Sequence, residues 1–353
     1  MTISDLSYIN GLRVFESTIL RDREVLKMNR RSKIVSFSIG MIFIMSMVLG
    51  GCSREQKSVS NEEYYMVTFL SGMEYWKDCY KGFEEAGNLH GIKTIYTGGI
   101  QYDVNQEVTA LEQIIAKKPA GIALTCMNPD AFKVPIQKAM DAGIPIVTFD
   151  SDSPDSGRYS FLGTGNEHAG EVAAKALSEE LGPKGGEVVV IANPNQLNND
   201  QRELGFKNAI DKTYKNLKLV SVGNGNSDQT EAAKVLSGSL QAHPNIKGVF
   251  CTEATSSVGA VAAVKEANKE GKVKIISFDT DRGTLDGIKS GIISASIAQG
   301  TYIMGYQSMN FLYQIKHGLI TPEKNIRPLP TFVDTGVYIV SKENVDSFIR
   351  NKD

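Results

Sequence analysis

The sequence predicts an α/β protein of two lobes, each built on a doubly wound parallel sheet, with a hinge between them. Three observations support this fold class. Short apolar or β-branched runs alternate with amphipathic helical stretches from residue 64 onward, which is typical of parallel sheets covered by helices on both faces. The alternation starts a second time near residue 159. The length of 353 residues also exceeds what one compact core usually holds.

The first array of strands and helices begins at residue 64. Its first helix is indicated by Trp76, Cys79, Tyr80 and Phe83, which recur at three- and four-residue spacing and therefore share one apolar helix face. Short apolar and β-branched runs predict the strands. The predicted strands are 65–70, 92–96, 121–125 and 144–149, and the other predicted helices are 106–117 and 131–142.

The second array repeats this alternation. Its predicted strands are 159–163, 187–191, 217–222, 248–251, 274–278 and 293–297, and its predicted helices are 167–181, 201–212, 229–241, 258–268 and 283–289. No long flexible linker separates the arrays, so we predict two lobes joined by short segments, with a cleft between them. Open α/β sheets bind ligands beyond the carboxyl ends of their strands. The residues that follow each strand are therefore the site candidates.

An export signal precedes the first array. The cationic segment 28–33 leads into the apolar run 34–48 and then into Leu49-Gly50-Gly51-Cys52. The apolar run is shorter than the roughly 20 residues of a membrane span. Cationic, apolar and small-residue regions in this order are typical of a signal peptide. The last four residues resemble a bacterial lipobox, which implies that Cys52 carries a lipid. An uncleaved signal anchor is the alternative.

Three N-terminal segments follow from this pattern. Residues 28–51 are expected to form the lipoprotein signal peptide. The polar segment 52–63 lacks apolar periodicity and is expected to be a flexible tether. Residues 1–27 precede a complete signal that begins at its own methionine, so we interpret them as a spurious extension from a misassigned start codon.

Charge and cysteine content exclude several classes of partner. The 38 basic and 40 acidic residues nearly cancel, which gives no reason to expect nucleic acid as a partner. Cys79, Cys126 and Cys251 form an odd, widely scattered set, so they predict no disulfide framework and no metal site. We interpret them as small buried apolar residues.

Aromatic and polar side chains follow the predicted strands. Flat rings stack on the apolar faces of a sugar, and carboxylates, amides and guanidinium groups pair with its hydroxyls. Such residues at several strand ends favour a sugar-binding cleft over ordinary hydrophilic loops. The candidate ligand-binding residues are Glu74, Tyr75, Trp76, Asp150, Ser151, Arg202, Glu253, Asp279 and Gln299.

Their order and spacing resemble the ribose- and galactose-type, or type I, periplasmic binding proteins of ABC importers. The resemblance covers residues 64–342. It is carried by the aromatic pair Tyr75 and Trp76, the strand 145–150 ending in Asp150, the segment 202–206 with its arginine, the strand 276–279 ending in Asp279, and the segment 296–299 ending in Gln299.

This resemblance implies a sugar-binding lipoprotein that works by hinge closure. The N-terminal lobe would comprise residues 64–164 and 300–332, and the C-terminal lobe residues 165–299 and 333–353. The expected hinge residues are Gly163, Thr164, Gly165 and Gly300. The closed form would be presented to a membrane permease by a monomer that needs no cofactor. Presentation to a sensor histidine kinase or a chemoreceptor is the alternative.

The chain departs from the family pattern near the expected ligand. Ser151 stands where the family commonly has arginine, Glu253 where it has asparagine, and a third aromatic residue is replaced near Ser227. Glu74 adds another acid. These departures predict a more acidic cleft, and we hypothesise a monosaccharide other than ribose, such as one that carries an amine.

Other functions find less support in the sequence. The glycine-rich segment 163–170 lacks the phosphate-loop spacing of a dinucleotide site. No pair of the four histidines has zinc-protease spacing. Asp279 and Asp281 could serve a glycosidase, but sugar binding explains both without hydrolysis. A repressor would need a helix-turn-helix where the signal and tether lie. We therefore predict a binding protein and no enzyme.

Overall fold

Two six-stranded sheets organise the part of the chain that the computed structural model describes, residues 61–320 and 329–350. The strands are β1 (Glu63–Thr68), β2 (Lys93–Gly98), β3 (Gly121–Leu124), β4 (Ile146–Phe149), β5 (Phe161–Gly163), β6 (Gly186–Ala192), β7 (Leu217–Asn224), β8 (Ile246–Cys251), β9 (Lys274–Phe278), β10 (Ala295–Gln299), β11 (Phe332–Asp334) and β12 (Val337–Ser341). The helices are α1 (Tyr75–Leu89), α2 (Val104–Ala116), α3 (Lys133–Asp141), α4 (Asn166–Leu181), α5 (Leu197–Lys212), α6 (Gln229–Ala242), α7 (Ala254–Glu266), α8 (Arg282–Ser290), α9 (Thr301–Lys316) and α10 (Val345–Arg350).

The first sheet has the strand order β11-β5-β4-β3-β1-β2, and all its pairs are parallel. Successive residues of a strand point to opposite faces. In β1, Tyr64 and Met66 accordingly pack into the core under α1 and α9, whereas Tyr65 and Val67 pack into the core under α2 and α3. Both faces of this sheet are therefore covered by helices.

The second sheet repeats this design with the order β12-β10-β9-β8-β6-β7. In β6, Val188 and Val190 pack against α4 and α5, and Val189 and Ile191 against α6, α7 and α8. The edge strand β12 pairs antiparallel with β10, which departs from the all-parallel expectation. The predicted α/β class with two doubly wound sheets is confirmed.

Three short crossings connect the two lobes. They run from β5 to α4, from β10 to α9 and from β11 to β12. Because α9 packs against α1, the chain returns to the first lobe after β10. All three crossings lie toward the same edge of each sheet, next to β11 or β12.

Two predicted boundaries need correction. Residues 333 and 334 were assigned to the C-terminal lobe, but β11 pairs with β5 in the first sheet, where the rings of Phe161 and Phe332 stack at 5.4 Å. The third crossing therefore lies at 335–336. Glu63 was assigned to the tether, but it is the first residue of β1 and pairs with Lys93. The signal peptide, Cys52 and residues 1–27 lie outside the described residues.

Candidate functional site

Two aspartates occupy equivalent positions in the two sheets. Asp150 follows β4 and Asp279 follows β9, each the third strand from the crossing edge. Both have left-handed backbone, with φ of 61° and 64°. Such φ values are uncommon for residues other than glycine, cost on the order of 1–3 kcal/mol, and cluster at ligand sites. The two aspartates therefore share both a strand position and a backbone conformation.

Asp150 is held by two hydroxyl groups of its own lobe. The Tyr75 hydroxyl donates to Oδ2 at 2.7 Å, and the Ser151 hydroxyl donates to Oδ1 at 2.8 Å. Burial raises the pKa of Asp150, and the hydrogen bonds from Tyr75 and Ser151 and the charge of Arg202 oppose this effect. Ser151 therefore orients Asp150 without adding a charge.

Arg202 is the buried cation of the second lobe, with 2% of its surface exposed. Its Nε donates to Asn166 Oδ1 at 2.9 Å, and its Nη1 donates to the Thr252 carbonyl at 2.9 Å. The guanidinium also lies 3.7 Å from the ring centroid of Phe278, a cation–π contact. These contacts fix the plane of the guanidinium beside Asp279.

Gln299 connects this cation to the second aspartate and to the crossing from β5 to α4. Its Oε1 accepts from Arg202 Nη2 at 3.0 Å and from the Thr164 hydroxyl at 2.7 Å. Its Nε2 donates to Asp279 Oδ1 at 2.7 Å. Burial raises the pKa of Asp279 to about 7, while Arg202 and Gln299 lower it. One amide thus joins the charged site to two of the three crossings.

The remaining predicted hinge residues lie at the crossings as well. Gly163 ends β5, and Gly165 and Gly300 directly precede α4 and α9. Asp334 Oδ1 accepts from the backbone N–H groups of Gly165 at 3.0 Å and Gly336 at 2.9 Å. The first and third crossings are therefore tied to each other. Their action as a hinge stays a prediction.

The charged groups of the two lobes act on one another. The charge of Arg202 lowers the pKa of Asp150, and the carboxylates of Asp150 and Asp279 both help burial to raise the pKa of Tyr75. A cavity of about 500 Å³ lies between the lobes. Asp150 lines it, whereas Tyr75, Arg202 and Asp279 do not. Its other lining residues are both polar and apolar, and they include Asn166, Gln201, Phe161 and Phe332. A cavity with both kinds of side chain suits a small molecule.

Trp76 lies behind Tyr75 and has no exposed surface. Its ring makes edge contacts with the rings of Phe69, Tyr75 and Phe149, with centroid distances of 5.1, 4.7 and 5.9 Å. Trp76 therefore supports Tyr75 from the core of the first lobe. Stacking of Tyr75 and Trp76 on a ligand stays a prediction.

Glu253 differs from its predicted role. Its carboxylate caps α7 by accepting from the backbone N–H groups of Thr255 and Ser256, both at 2.7 Å, and from the Ser256 hydroxyl. A negative charge at a helix N-terminus is stabilising. The sequence predicted this helix only from residue 258, so the capping position was missed. Glu74, the other added acid, directly precedes α1 and is half-buried.

Several residues near the site were missed by sequence reasoning. Asn166 and Thr252 orient Arg202, and Tyr102 packs its ring against Phe69 at 5.4 Å. Glu107 is fully buried beneath the loop after β3. Tyr102 lies in the loop after β2 and Thr252 directly follows β8, so the strand-end rule could have found both. Asn166 and Glu107 lie within helices, where the pattern gives no sign of their contacts.

The three cysteines of the described residues are buried, as predicted, and burial raises the pKa of the Cys79 and Cys126 thiols. Across residues 61–320 and 329–350, no group of three or more His, Cys, Asp or Glu side chains is arranged to hold a metal ion. Within the same ranges, no helix is both long and apolar enough to span a bilayer.

Comparison with known proteins connects this chain to a family. The family described as a periplasmic binding protein domain matches residues 64–319. The ribose import binding protein RbsB of Bacillus subtilis is 24% identical over 290 residues, which cover 81% of this chain and 93% of that protein. The D-allose-binding periplasmic protein of Escherichia coli is 25% identical over 287 residues, covering 78% and 92%.

Two solved structures are more similar to this chain in sequence than these two relatives are. The sugar-binding protein of a sugar ABC transporter from Bacillus halodurans has a TM-score of 0.79 and 47% identity, covering 81% of this chain and 100% of that one. AraP, an arabinose binding protein from Geobacillus stearothermophilus, has a TM-score of 0.76 and 46% identity, covering 81% and 99%.

Proposed function

Because this chain belongs to the periplasmic binding protein domain family, we propose that it is the extracytoplasmic sugar-binding protein of an ABC importer. The observation that carries the proposal is the pair of strained aspartates, Asp150 and Asp279, one from each lobe. Together with Arg202 they supply acceptors and a donor to a single small ligand between the lobes. Carboxylates and a guanidinium match the donors and acceptors of sugar hydroxyls, so the site is suited to binding.

The proposed mechanism is closure of the lobes on the ligand. Sugar hydroxyls would bridge Asp150 in the first lobe and Arg202 and Asp279 in the second, and the ring of Tyr75 would cover an apolar face of the sugar. A ligand that contacts both lobes binds the closed form more tightly and therefore shifts the population toward it. The closed pair of lobes would then be recognised by the membrane permease.

We propose a neutral monosaccharide as the ligand, with arabinose the first candidate. Two contacts argue against the amino sugar that the sequence led us to expect. The Glu253 carboxylate already accepts hydrogen bonds at the N-terminus of α7. The Ser151 hydroxyl donates to Asp150. The 46% identity to an arabinose binding protein supports the choice of arabinose.

A panel of sugars tests the ligand class. We expect arabinose or another neutral monosaccharide to raise the Tm of the purified chain with the logarithm of the ligand excess, while amino sugars and inositols leave the Tm unchanged. A response to amino sugars alone would contradict the neutral ligand, and no response to any sugar would contradict the function.

Lipid anchoring at Cys52 is a separate part of the proposal. Its support is the order of cationic, apolar and small residues that ends at Cys52. Cells fed an alkyne-labelled fatty acid should incorporate the label into the native chain and not into Cys52→Ala. Labelling of both chains, or of neither, would remove this part of the proposal and leave sugar binding intact.

Co-purification with a permease or a sensor kinase would decide between the two partners.

A further inference from the structure

The cavity of about 500 Å³ adjoins the charged site without coinciding with it. Asp150 lines the cavity, and so does Asn166, whose Oδ1 accepts from Arg202 Nε at 2.9 Å. The lining also includes Thr331, directly before β11, and Phe332, the first residue of that strand. The cavity therefore extends from the charged site to the strand that precedes the third crossing.

An ion pair fixes the first-lobe wall of this cavity. Arg158 Nε donates to Asp152 Oδ1 at 2.6 Å, and Arg158 Nη1 donates to the Thr331 carbonyl at 3.0 Å. Asp152 and Arg158 are both buried. All three of these residues line the cavity, so the loop after β4 and the start of β11 are held together as one wall.

The lining combines an aromatic ring with side-chain amides. The Phe332 ring stacks on the Phe161 ring at a centroid distance of 5.4 Å, and 42% of Phe332 stays exposed. The second lobe contributes Asn198 and Gln201. A flat ring stacks on the apolar face of a sugar, and an amide both donates and accepts hydrogen bonds. The lining therefore suits a hydroxylated unit with an apolar face.

The charges of the lining favour a neutral occupant over an anionic one. Three carboxylates, those of Asp150, Asp152 and Glu167, outnumber the two basic side chains, Arg158 and His168. The charge of Arg158 is also paired with Asp152. A phosphate or carboxylate group would therefore be repelled.

We propose that the cleft accepts a neutral sugar linked to a second sugar, with the terminal unit between Asp150 and Asp279 and the second unit in this cavity. The proposal rests on the sugar-binding function proposed above. The cavity volume lies within the roughly 300–1,000 Å³ of pockets that bind drug-sized ligands, so it has room for a further sugar unit. We call Phe332, Asn198 and Gln201 the second subsite.

Calorimetric titration of the native chain with matched sugars tests the second subsite. The pairs are arabinose with arabinobiose, xylose with xylobiose, and glucose with cellobiose. In a pair that binds, the disaccharide should bind about fivefold more tightly than the monosaccharide, the gain expected from one aromatic contact. Heat from monosaccharides alone, or equal affinities within each pair, would overturn the second subsite and leave the proposed function intact.

No heat from any of these sugars would also overturn the second subsite. The wider monosaccharide panel then decides separately whether the proposed function fails with it.

Phe332→Leu separates the second subsite from a general effect on the fold. It should weaken disaccharide binding about fivefold, because the flat ring is lost while an apolar contact with Phe161 is kept. Its monosaccharide affinity should equal that of the native chain. The matched control is Tyr338→Leu, which removes an exposed ring of β12 that does not line the cavity and should change neither affinity. Equal loss of both affinities in Phe332→Leu, or an unchanged disaccharide affinity, would overturn the second subsite.

Discussion

At the scale of single residues, burial places acids where their charged form is costly. Glu107 is fully buried. It accepts from the Thr125 hydroxyl at 2.7 Å and from the Met127 backbone N–H at 3.1 Å. Thr125 in turn accepts from the backbone N–H of Phe69. The acid therefore ties together the loops that follow β1 and β3, which form part of the rim of the cleft.

Glu107 should make the stability of the chain depend on pH. Burial raises its pKa from 4.5 to about 8, against the two hydrogen bonds that lower it. The folded chain therefore keeps this proton up to about pH 8, whereas the unfolded chain loses it above about pH 4.5. Its stabilising contribution is complete below the unfolded pKa and is lost as the pH rises through the folded pKa.

The test is the free energy of unfolding measured between pH 6 and 9. Glu107→Gln should remove a decrease that approaches about 1.4 kcal/mol per pH unit below pH 8. Glu112→Gln on the same helix changes an exposed acid and should retain the native pH dependence. Identical slopes in all three chains would contradict the buried, protonated state of Glu107.

At the scale of elements, each lobe contains helices whose backbones approach closely. In the first lobe, α1 and α9 approach so closely that a Cβ on Gly305 would lie 1.8 Å from the Cys79 carbonyl oxygen. In the second, a Cβ on Gly205 of α5 would lie 1.9 Å from the Glu167 carbonyl oxygen of α4. Glycine is required at both positions because only it lets the two backbones meet.

Gly305→Ala should therefore lower the free energy of unfolding by about 1–3 kcal/mol, since α1 and α9 must move apart. Gly238 is the matched control. It lies within α6, and a Cβ there would meet no atom within 4 Å, so Gly238→Ala should raise the same quantity by about 0.4–1 kcal/mol. Urea unfolding of both variants measures the difference. Equal effects of the two substitutions would refute the close approach of α1 and α9.

The sequence predicted the interior elements better than the contacts they make. Alternating apolar runs identified β1 to β10 because the sheets are buried on both faces, which leaves a strong periodic signal. The role of Glu253 was missed because α7 begins with small and polar residues that carry no periodicity. The pairing of β11 was missed because it depends on Phe161, more than 150 residues away. The local hydrophobic pattern of a segment does not reveal partners that are so distant in the sequence.

At the scale of the whole molecule, the two lobes share one topology and place equivalent groups opposite each other. Asp150 pairs with Asp279 in position, and the β2 loop with the β7 loop. Gln299 connects the charged site to the crossings through Thr164. The proposed ligand site and the proposed hinge are therefore connected through one amide, and we expect a substitution at Thr164 to alter binding at the site.

Thr164→Val should weaken sugar binding by about fivefold, because it removes one hydrogen bond to Gln299 while preserving the shape of the side chain. Thr109→Val is the control, since the Thr109 hydroxyl is exposed and donates within its own helix to Asn105. Titration calorimetry gives both affinities. Equal affinities in the two variants would contradict the coupling between site and hinge.

The central claim, a sugar held between Asp150 and Asp279, is tested most directly by titrating arabinose and other neutral monosaccharides into the native chain and Asp279→Ala in a calorimeter. The native chain should bind one sugar per molecule. Asp279→Ala should fold and show no heat of binding, whereas Asp286→Ala, which changes an exposed acid of α8, should bind like the native chain. Undiminished affinity in Asp279→Ala would contradict the claim.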